Sequence, residues 1–218
     1  YDWALSFGYD IGHAFAPCAT RGLGYVSEQT AWTGKQPGLG DYAQTRSRVL
    51  AVDDLGRILE SRNDNDTFQS NDDTCVELEY AAPTTSVRMF SALARRKVTD
   101  CGKPTARTLS VDTWEYDALP LRSASLGRLS SHTVERYGTA TGLLLGSVRE
   151  YEIGYDAVGN SNFVASARED GAIRSMTISH DAFGLVPIAT TLQGTGITSL
   201  VTSIERDPVT LEARAQVD

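Results

Sequence analysis

Hydrophobic and polar residues alternate with a period of two over long stretches of this chain. In "REYEIGY", Tyr151, Ile153 and Tyr155 fall on one side and Glu150 and Glu152 on the other; Met176, Ile178 and His180 alternate with Thr177 and Ser179; Val186, Ile188 and Leu192 share a third face. Upstream, Val76, Leu78 and Tyr80 alternate with Glu77 and Glu79, and "LSVDTWEY" continues the habit through Trp114 and Tyr116. A period of two marks a strand with one apolar and one wetted face, the pattern of an antiparallel sheet exposed on one side. Turn signals punctuate these runs: Asp170-Gly171 in "REDGAIR", and Gly194 and Gly196 in "LQGTGIT". From residue 147 on, turns fall about every 12 or 13 residues and leave strands of about eight residues between them. The expected fold is all-β, an antiparallel meander of hairpin repeats.

One phrase recurs at the strand ends. "IGYDAVGNSNF" carries Tyr155, Asp156, Gly159 and Asn160, and "ISHDAFGLVPI" carries His180, Asp181 and Gly184. "LAVDDLGRILES" supplies Asp53 and Gly56, "TWEYDALPLRS" supplies Tyr116 and Asp117 with Pro120 where a glycine might stand, and "IERDPVTLEAR" supplies Asp207 and Pro208 with Thr210 in the glycine place. The opening "FGYDIGHAF" reads as a further variant, with Tyr9, Asp10 and an early Gly12. A bulky residue closes the strand, the aspartate bonds backbone amides two residues on, and the glycine takes a positive φ at low steric cost. Gly159 and Gly184 are therefore expected in equivalent turns, equally intolerant of valine.

Composition narrows the function. The chain has 218 residues, 41% of them hydrophobic, with 19 glycines and a formal charge of −8. That length buries one substantial core or two small ones, and the negative charge repels nucleic-acid backbones and anionic lipid surfaces. No apolar run is long enough for a membrane-spanning helix. The opening "YDWALSFGYDIG" has neither a basic leader nor an apolar core, so it reads as the interior of a longer polypeptide and the chain as a fragment. Cys18, Cys75 and Cys101 lack zinc-ligand spacing and allow one disulfide with one thiol left over. The favoured pair is Cys75 and Cys101, which flank one strand-rich insertion; such a bond restricts the unfolded chain by about 3 kcal/mol. The alternative is two reduced thiols, one of them buried as a small hydrophobe.

Catalytic signals are weak. His13, His132 and His180 sit in unrelated contexts, and His180 takes the slot that Tyr155 fills in the neighbouring copy, so a packing role is expected of it. The nucleophile-elbow, zinc-protease, phosphate-loop and paired-cysteine motifs are missing from the sequence. Asp53-Asp54 and Asp72-Asp73 are adjacent in sequence and diverge on a strand or turn rather than flanking one substrate atom. The run "SRNDNDTFQSNDDTC" gathers Asp64, Asp66, Asp72 and Asp73, but a calcium loop starting at Asp64 would need Gly where Gln69 stands and Glu where Cys75 stands. A solvated loop is expected there. Its Asn65 heads a glycosylation acceptor that matters only in a eukaryotic source. "DPVT" at 207–210 reads as an ordinary Asp-Pro turn. The expectation is therefore no enzyme, no cofactor and no metal.

The order and spacing of the aspartate phrases carry a resemblance. Tyr-Asp-x-x-Gly-Asn at 155–160, with degenerate copies at 52–57, 116–120, 180–184 and 207–210, resembles the YD repeats of bacterial RHS-repeat proteins. The segment "HDAFGLVPIATTLQGTGITSLVTSIERDPVTLEARAQVD" is similar to that family's succession of an Asp turn, Gly-hydrophobe-Pro, a Gly-bearing turn and an Asp-Pro turn; residues 71–117 resemble a cysteine-bearing insertion of its large secreted members. The likeness covers 46–218, with the insertion at 61–110, while 1–45 forms an irregular N-terminal portion. It implies a noncatalytic segment of a spiralling β-sheet shell that encloses or delivers a toxic C-terminal domain, as in the similar toxin-complex B and C components and teneurins. The implied partners are the rest of its own shell and an enclosed toxin domain, and the implied location is secreted or at the cell surface. The alternative is an adhesion module presenting loops 31–42 or 61–74 to a glycan or protein, which the flanking sequence would distinguish.

Overall fold

A computed structural model describes residues 3–12, 23–34, 42–69, 72–82, 91–101, 105–167, 171–207 and 209–217. His13, Cys18, Asp170 and Pro208 lie outside them. Every regular element among the described residues is a strand: β1 (Trp3–Gly12), β2 (Leu23–Gly34), β3 (Tyr42–Val52), β4 (Ile58–Asp64), β5 (Thr74–Tyr80), β6 (Leu93–Thr99), β7 (Thr108–Tyr116), β8 (Leu129–Tyr137), β9 (Leu144–Tyr155), β10 (Ser161–Ala167), β11 (Ile173–His180), β12 (Pro187–Gly194), β13 (Ile197–Arg206) and β14 (Ala213–Val217). The chain is an all-β antiparallel meander, as its period of two requires. It divides into two compact units, one made of 1–112 with 136–145 and the other of 113–135 with 146–218.

In the first unit, β1 to β6 pair antiparallel in chain order without a crossover. Asp10 does not start a turn: it pairs with Tyr25 inside β1, whose irregularity falls between Gly8 and Tyr9. The glycine arrives one position too early there to complete the Asp-x-x-Gly geometry. The register places Glu77 opposite Lys97 and Glu79 opposite Arg95, and both pairs close as ion pairs, at 3.3 and 3.1 Å. Between them Leu78 faces the other way. Among the described residues of this unit, Val76, Ala81, Ala94 and Val111 are the buried apolar ones.

In the second unit, β9 to β14 continue the same pattern. Directly paired residues point to the same face of a sheet. The register sets Ile153 opposite Val164, Val164 opposite Met176, Met176 opposite Leu192 and Leu192 opposite Leu200. The three apolar faces read from the sequence at 151–155, 176–180 and 186–192 thus form one continuous face. That face is not sealed: Ile188, Leu192 and Leu200 are exposed, Leu200 by 61%. No large side chain among the described residues is fully buried.

Candidate functional site

The recurrent chemistry of this protein lies at the ends of its strands, where the aspartate turns stand. Asp156 closes β9, and its Oδ1 accepts the backbone N–H groups of Val158, Gly159 and Asn160 at 3.0, 2.7 and 2.9 Å. Asp117 closes β7 and gathers the N–H groups of Ser125, Leu126, Gly127 and Arg128 on its two oxygens, at 2.8 to 3.1 Å. Asp181 receives those of Leu185 and Val186, and Asp207 those of Val209 and Thr210. In the first unit Asp53 receives Leu55 and Arg57 in the same way. Each carboxylate thereby satisfies amides that a tight turn leaves without ladder partners.

The same bonds set the charge state. Burial raises the Asp117 pKa, but the four N–H groups outweigh it and hold the carboxyl below its ordinary range. Burial likewise opposes ionisation at Asp156 and is outweighed by the amides of Asn160 and Gly159. At Asp181 the Val186 N–H leads the lowering, and at Asp207 the Thr210 N–H does. Each of these turns is a fixed anion tied into its own backbone.

The positive φ does not always fall on the residue that the phrase suggests. Gly56, Gly159 and Gly184 have φ of 77, 108 and 67°. In the 117–128 turn, where Pro120 occupies the glycine place, Asp117 and Ala118 take φ of 56 and 54° and Gly127 takes 78°. In the 207–212 turn, Leu211 rather than Thr210 carries it, at 62°. Gly159 and Gly184 are also not equivalent. A Cβ on Gly159 would strike the guanidinium of Arg128, 2.7 Å from its central carbon, whereas on Gly184 it would meet Val158 and Asn160 side-chain atoms at 3.3 Å.

Neighbouring turns are tied together by single side chains. Arg128 lies over the Tyr155 ring, 5.8 Å from its centroid, within cation–π range. Tyr155 donates its hydroxyl to the Leu129 carbonyl at 2.9 Å. Asn160 Nδ2 bonds Asp156 in its own turn at 3.2 Å and donates to the Gly184 carbonyl in the next at 2.6 Å. Arg206, which replaces tyrosine before Asp207, donates to the Pro187 carbonyl at 3.0 Å and the Leu211 carbonyl at 2.9 Å. In the first unit Tyr80 donates to the Ile58 carbonyl at 3.0 Å, and Arg57 lies 4.5 Å over its ring. Tyr80, Tyr155 and Arg206 thus do one job: a long side chain at a strand end bonds the first carbonyl of the preceding strand. His180 occupies that slot, and its Nδ1 is buried without a hydrogen-bond partner. Tyr116 sits at the end of β7, where burial and the neighbouring Tyr151 raise its pKa.

The acidic run 61–75 is not simply a solvated loop. Asp64 is buried at the end of β4 and accepts Arg46 Nε, Arg62 Nε and Arg48 Nη2, at 2.7, 2.7 and 3.0 Å. Asp73 is buried too and bonds Arg62 at 2.5 Å. The sequence reading missed this because Arg46 and Arg48 arrive from β3, and only the register brings them opposite Asp64 and Arg62. Among the described residues no group of His, Cys, Asp and Glu is placed to hold a metal ion. Cys75 and Cys101 are joined as a disulfide between the start of β5 and the turn after β6. His132 stacks on Trp114 with ring centroids 4.7 Å apart and tilts against Tyr151 at 5.0 Å, with Glu150 at 3.1 Å from its Nδ1.

This fold recurs in known structures. No protein-family model matches the sequence, and no curated protein does. The solved structures "TcdB2-TccC3", "TcdB2-TccC3-TEV" and "TcdB2-TccC3-Cdc42" superpose on it with TM-scores of 0.69, 0.70 and 0.69, at 10, 11 and 10% identity. The chain has the fold of one stretch of TcdB2-TccC3. The superposition takes in 99% of this chain but only 14 to 15% of those chains, so it corresponds to a short stretch of a much longer polypeptide. At such identity the likeness is one of backbone architecture, carried by strand order and register.

Proposed function

We propose that this chain is a noncatalytic segment of the wall of an RHS-type shell, a container that encloses or delivers a toxic C-terminal domain. The observation that carries the reading is the fold shared with TcdB2-TccC3 along 99% of the chain, as a small fraction of a longer polypeptide. The aspartate turns fit a wall, because each carboxylate is taken up by the amides of its own turn while Tyr155, Asn160 and Arg206 beside them reach carbonyls of the neighbouring strand or turn. The half-exposed apolar face of β9 to β13 fits it too, since in an isolated module that face would remain in water. The Cys75–Cys101 disulfide suits an oxidising compartment, in keeping with a secreted or surface location. In this reading its partners are the remainder of its own shell and the enclosed domain.

The test is protease protection in the full-length parent protein. A C-terminal domain that resists protease in the intact protein, and becomes sensitive once the wall is opened by denaturant, is the expected result, with a closed particle in electron micrographs. A parent without further Asp-turn units, or a C-terminal domain cleaved at once, would overturn the proposal.

A further inference from the structure

The second residue after each turn aspartate is a large hydrophobe: Leu55, Leu119, Val158, Phe183 and Val209 follow Asp53, Asp117, Asp156, Asp181 and Asp207. Turn chemistry does not ask for this. At Leu55, Val158 and Val209 the aspartate takes the backbone N–H, at 3.0, 3.0 and 2.8 Å, which a residue with a polar side chain would supply equally well. All five are exposed, Val158 by 69%, Phe183 by 79% and Val209 by 87%. In a chain 41% hydrophobic, chance would leave most of the five polar. A single exposed hydrophobe needs no explanation, but a row of them at one repeated position marks an interaction surface.

Four of these tips belong to the second unit, where the turns at 117, 156, 181 and 207 follow one another along one end of the strands. Val158 Cγ2 lies 3.3 Å from the place that a Cβ on Gly184 would take, so its tip runs onto the next turn. Each step along the row passes two strands, about 9.4–9.8 Å. The opposite ends of the same strands carry glycine hairpins with the same two-strand step. Thr195 ties two of them together: its N–H donates to the Ile173 carbonyl at 3.0 Å, and its Oγ1 accepts the Ile173 N–H at 3.2 Å. At Gly196, with φ 74°, an added Cβ would meet nothing within 4 Å, and Ile173 and Ile197 beside it are exposed. One edge of the unit thus bears apolar knobs and the other open glycine turns with apolar flanks, at one period.

We propose that the Asp-turn edge of the second unit seats head to tail on the glycine-hairpin edge of another stretch of the same parent polypeptide, with Val158, Phe183 and Val209 as its anchors. The inference rests on the wall reading, which supplies the long parent: this fold takes up only 14 to 15% of the TcdB2-TccC3 chains. A second Asp-turn edge would not fit, because it would set knob against knob and one row of carboxylates against another. A globular partner has no two-strand period to match, and the formal charge of −8 opposes an anionic membrane. A head-to-tail contact of this kind does not close in a pair and extends by winding.

Photocross-linking in the full-length parent tests this, with Phe183→p-benzoylphenylalanine as the probe. Irradiation and peptide mass spectrometry should locate an intrachain cross-link to a glycine-bearing hairpin outside residues 1–218. Phe183→Ser keeps the backbone bonds of Asp181 and should speed hydrogen exchange in that cross-linked hairpin by about tenfold, the effect of losing one buried apolar side chain, while 182–186 stay protected. A cross-link to another Asp turn, to the C-terminal domain or to a second molecule would overturn the contact, as would no cross-link or unchanged exchange in Phe183→Ser. A protease-resistant C-terminal domain beside an uncross-linked position 183 would keep the shell and sink this contact. The cross-link beside a protease-sensitive domain would keep the contact and sink the shell.

Discussion

At the scale of single residues, the aspartate turns are held by carboxylate charge and by backbone angle, and each makes a prediction. The Asp117, Asp156, Asp181 and Asp207 carboxyls are all held below the ordinary carboxylate range in the folded chain. A depressed folded pKa contributes stability that is fully present above the unfolded value, about 3.9, and is lost as pH falls through the folded value. The turns should therefore hold at neutral pH and open progressively below about pH 4, seen as faster exchange at 118–128, 157–160 and 182–186 before the strands melt. The two glycines should differ. Gly159, at φ 108° and under Arg128, lies outside the left-handed well, so Gly159→Ala should cost about 2–3 kcal/mol. Gly184, at 67°, lies within it, and Gly184→Ala should cost about 1–2 kcal/mol. Denaturant midpoints of the two variants compare them, and equal losses would mean that the Arg128 contact adds nothing.

At the scale of elements, the strands owe their alignment to cross-strand pairs and to the strand-end side chains that grip the preceding strand. Tyr155→Phe removes the hydroxyl from the Leu129 carbonyl and leaves the ring under Arg128. The expected loss is about 1 kcal/mol, a typical net hydrogen bond, with exchange at the start of β8 accelerated and β13 unchanged. Thermal melting together with site-resolved exchange measures both. If the tyrosine serves by packing alone, the variant will match the parent. The charged cluster of β3, β4 and Asp73 follows a different logic: three arginines share two buried aspartates, and removing Asp64 takes its carboxylate from Arg46 and Arg48 while Arg62 keeps Asp73.

At the scale of the whole molecule, a meander paired strictly with its sequence neighbours behaves as a one-dimensional array in which damage spreads only to adjacent members. Gly184→Val places a β-branched residue at positive φ between β11 and β12. Exchange should rise across 176–192 while 109–116 stays protected. Cooperative loss of every strand at one midpoint would contradict the repeat reading.

The elements and their turns were legible in the amino-acid order, because a period of two, Asp-x-x-Gly and strand-end aromatics are local features whose physics is decided within a few residues. So were the strands around Tyr151, Met176 and Ile188, and the amide-binding role of Asp156 and Asp181. Local reading went wrong where the chain supplied the needed geometry from a neighbouring position: Leu211 takes the positive φ in place of Thr210, Gly127 serves a turn that opens ten residues earlier at Asp117, and Asp10 stays in its strand. Register was not legible at all. It alone sets Ile153, Val164, Met176, Leu192 and Leu200 in one row, lays Arg128 over Tyr155, and brings Arg46 and Arg48 to Asp64. A one-residue slip in any strand would turn its side chains to the opposite face while leaving every local pattern intact, so only the paired sheet decides which residues meet.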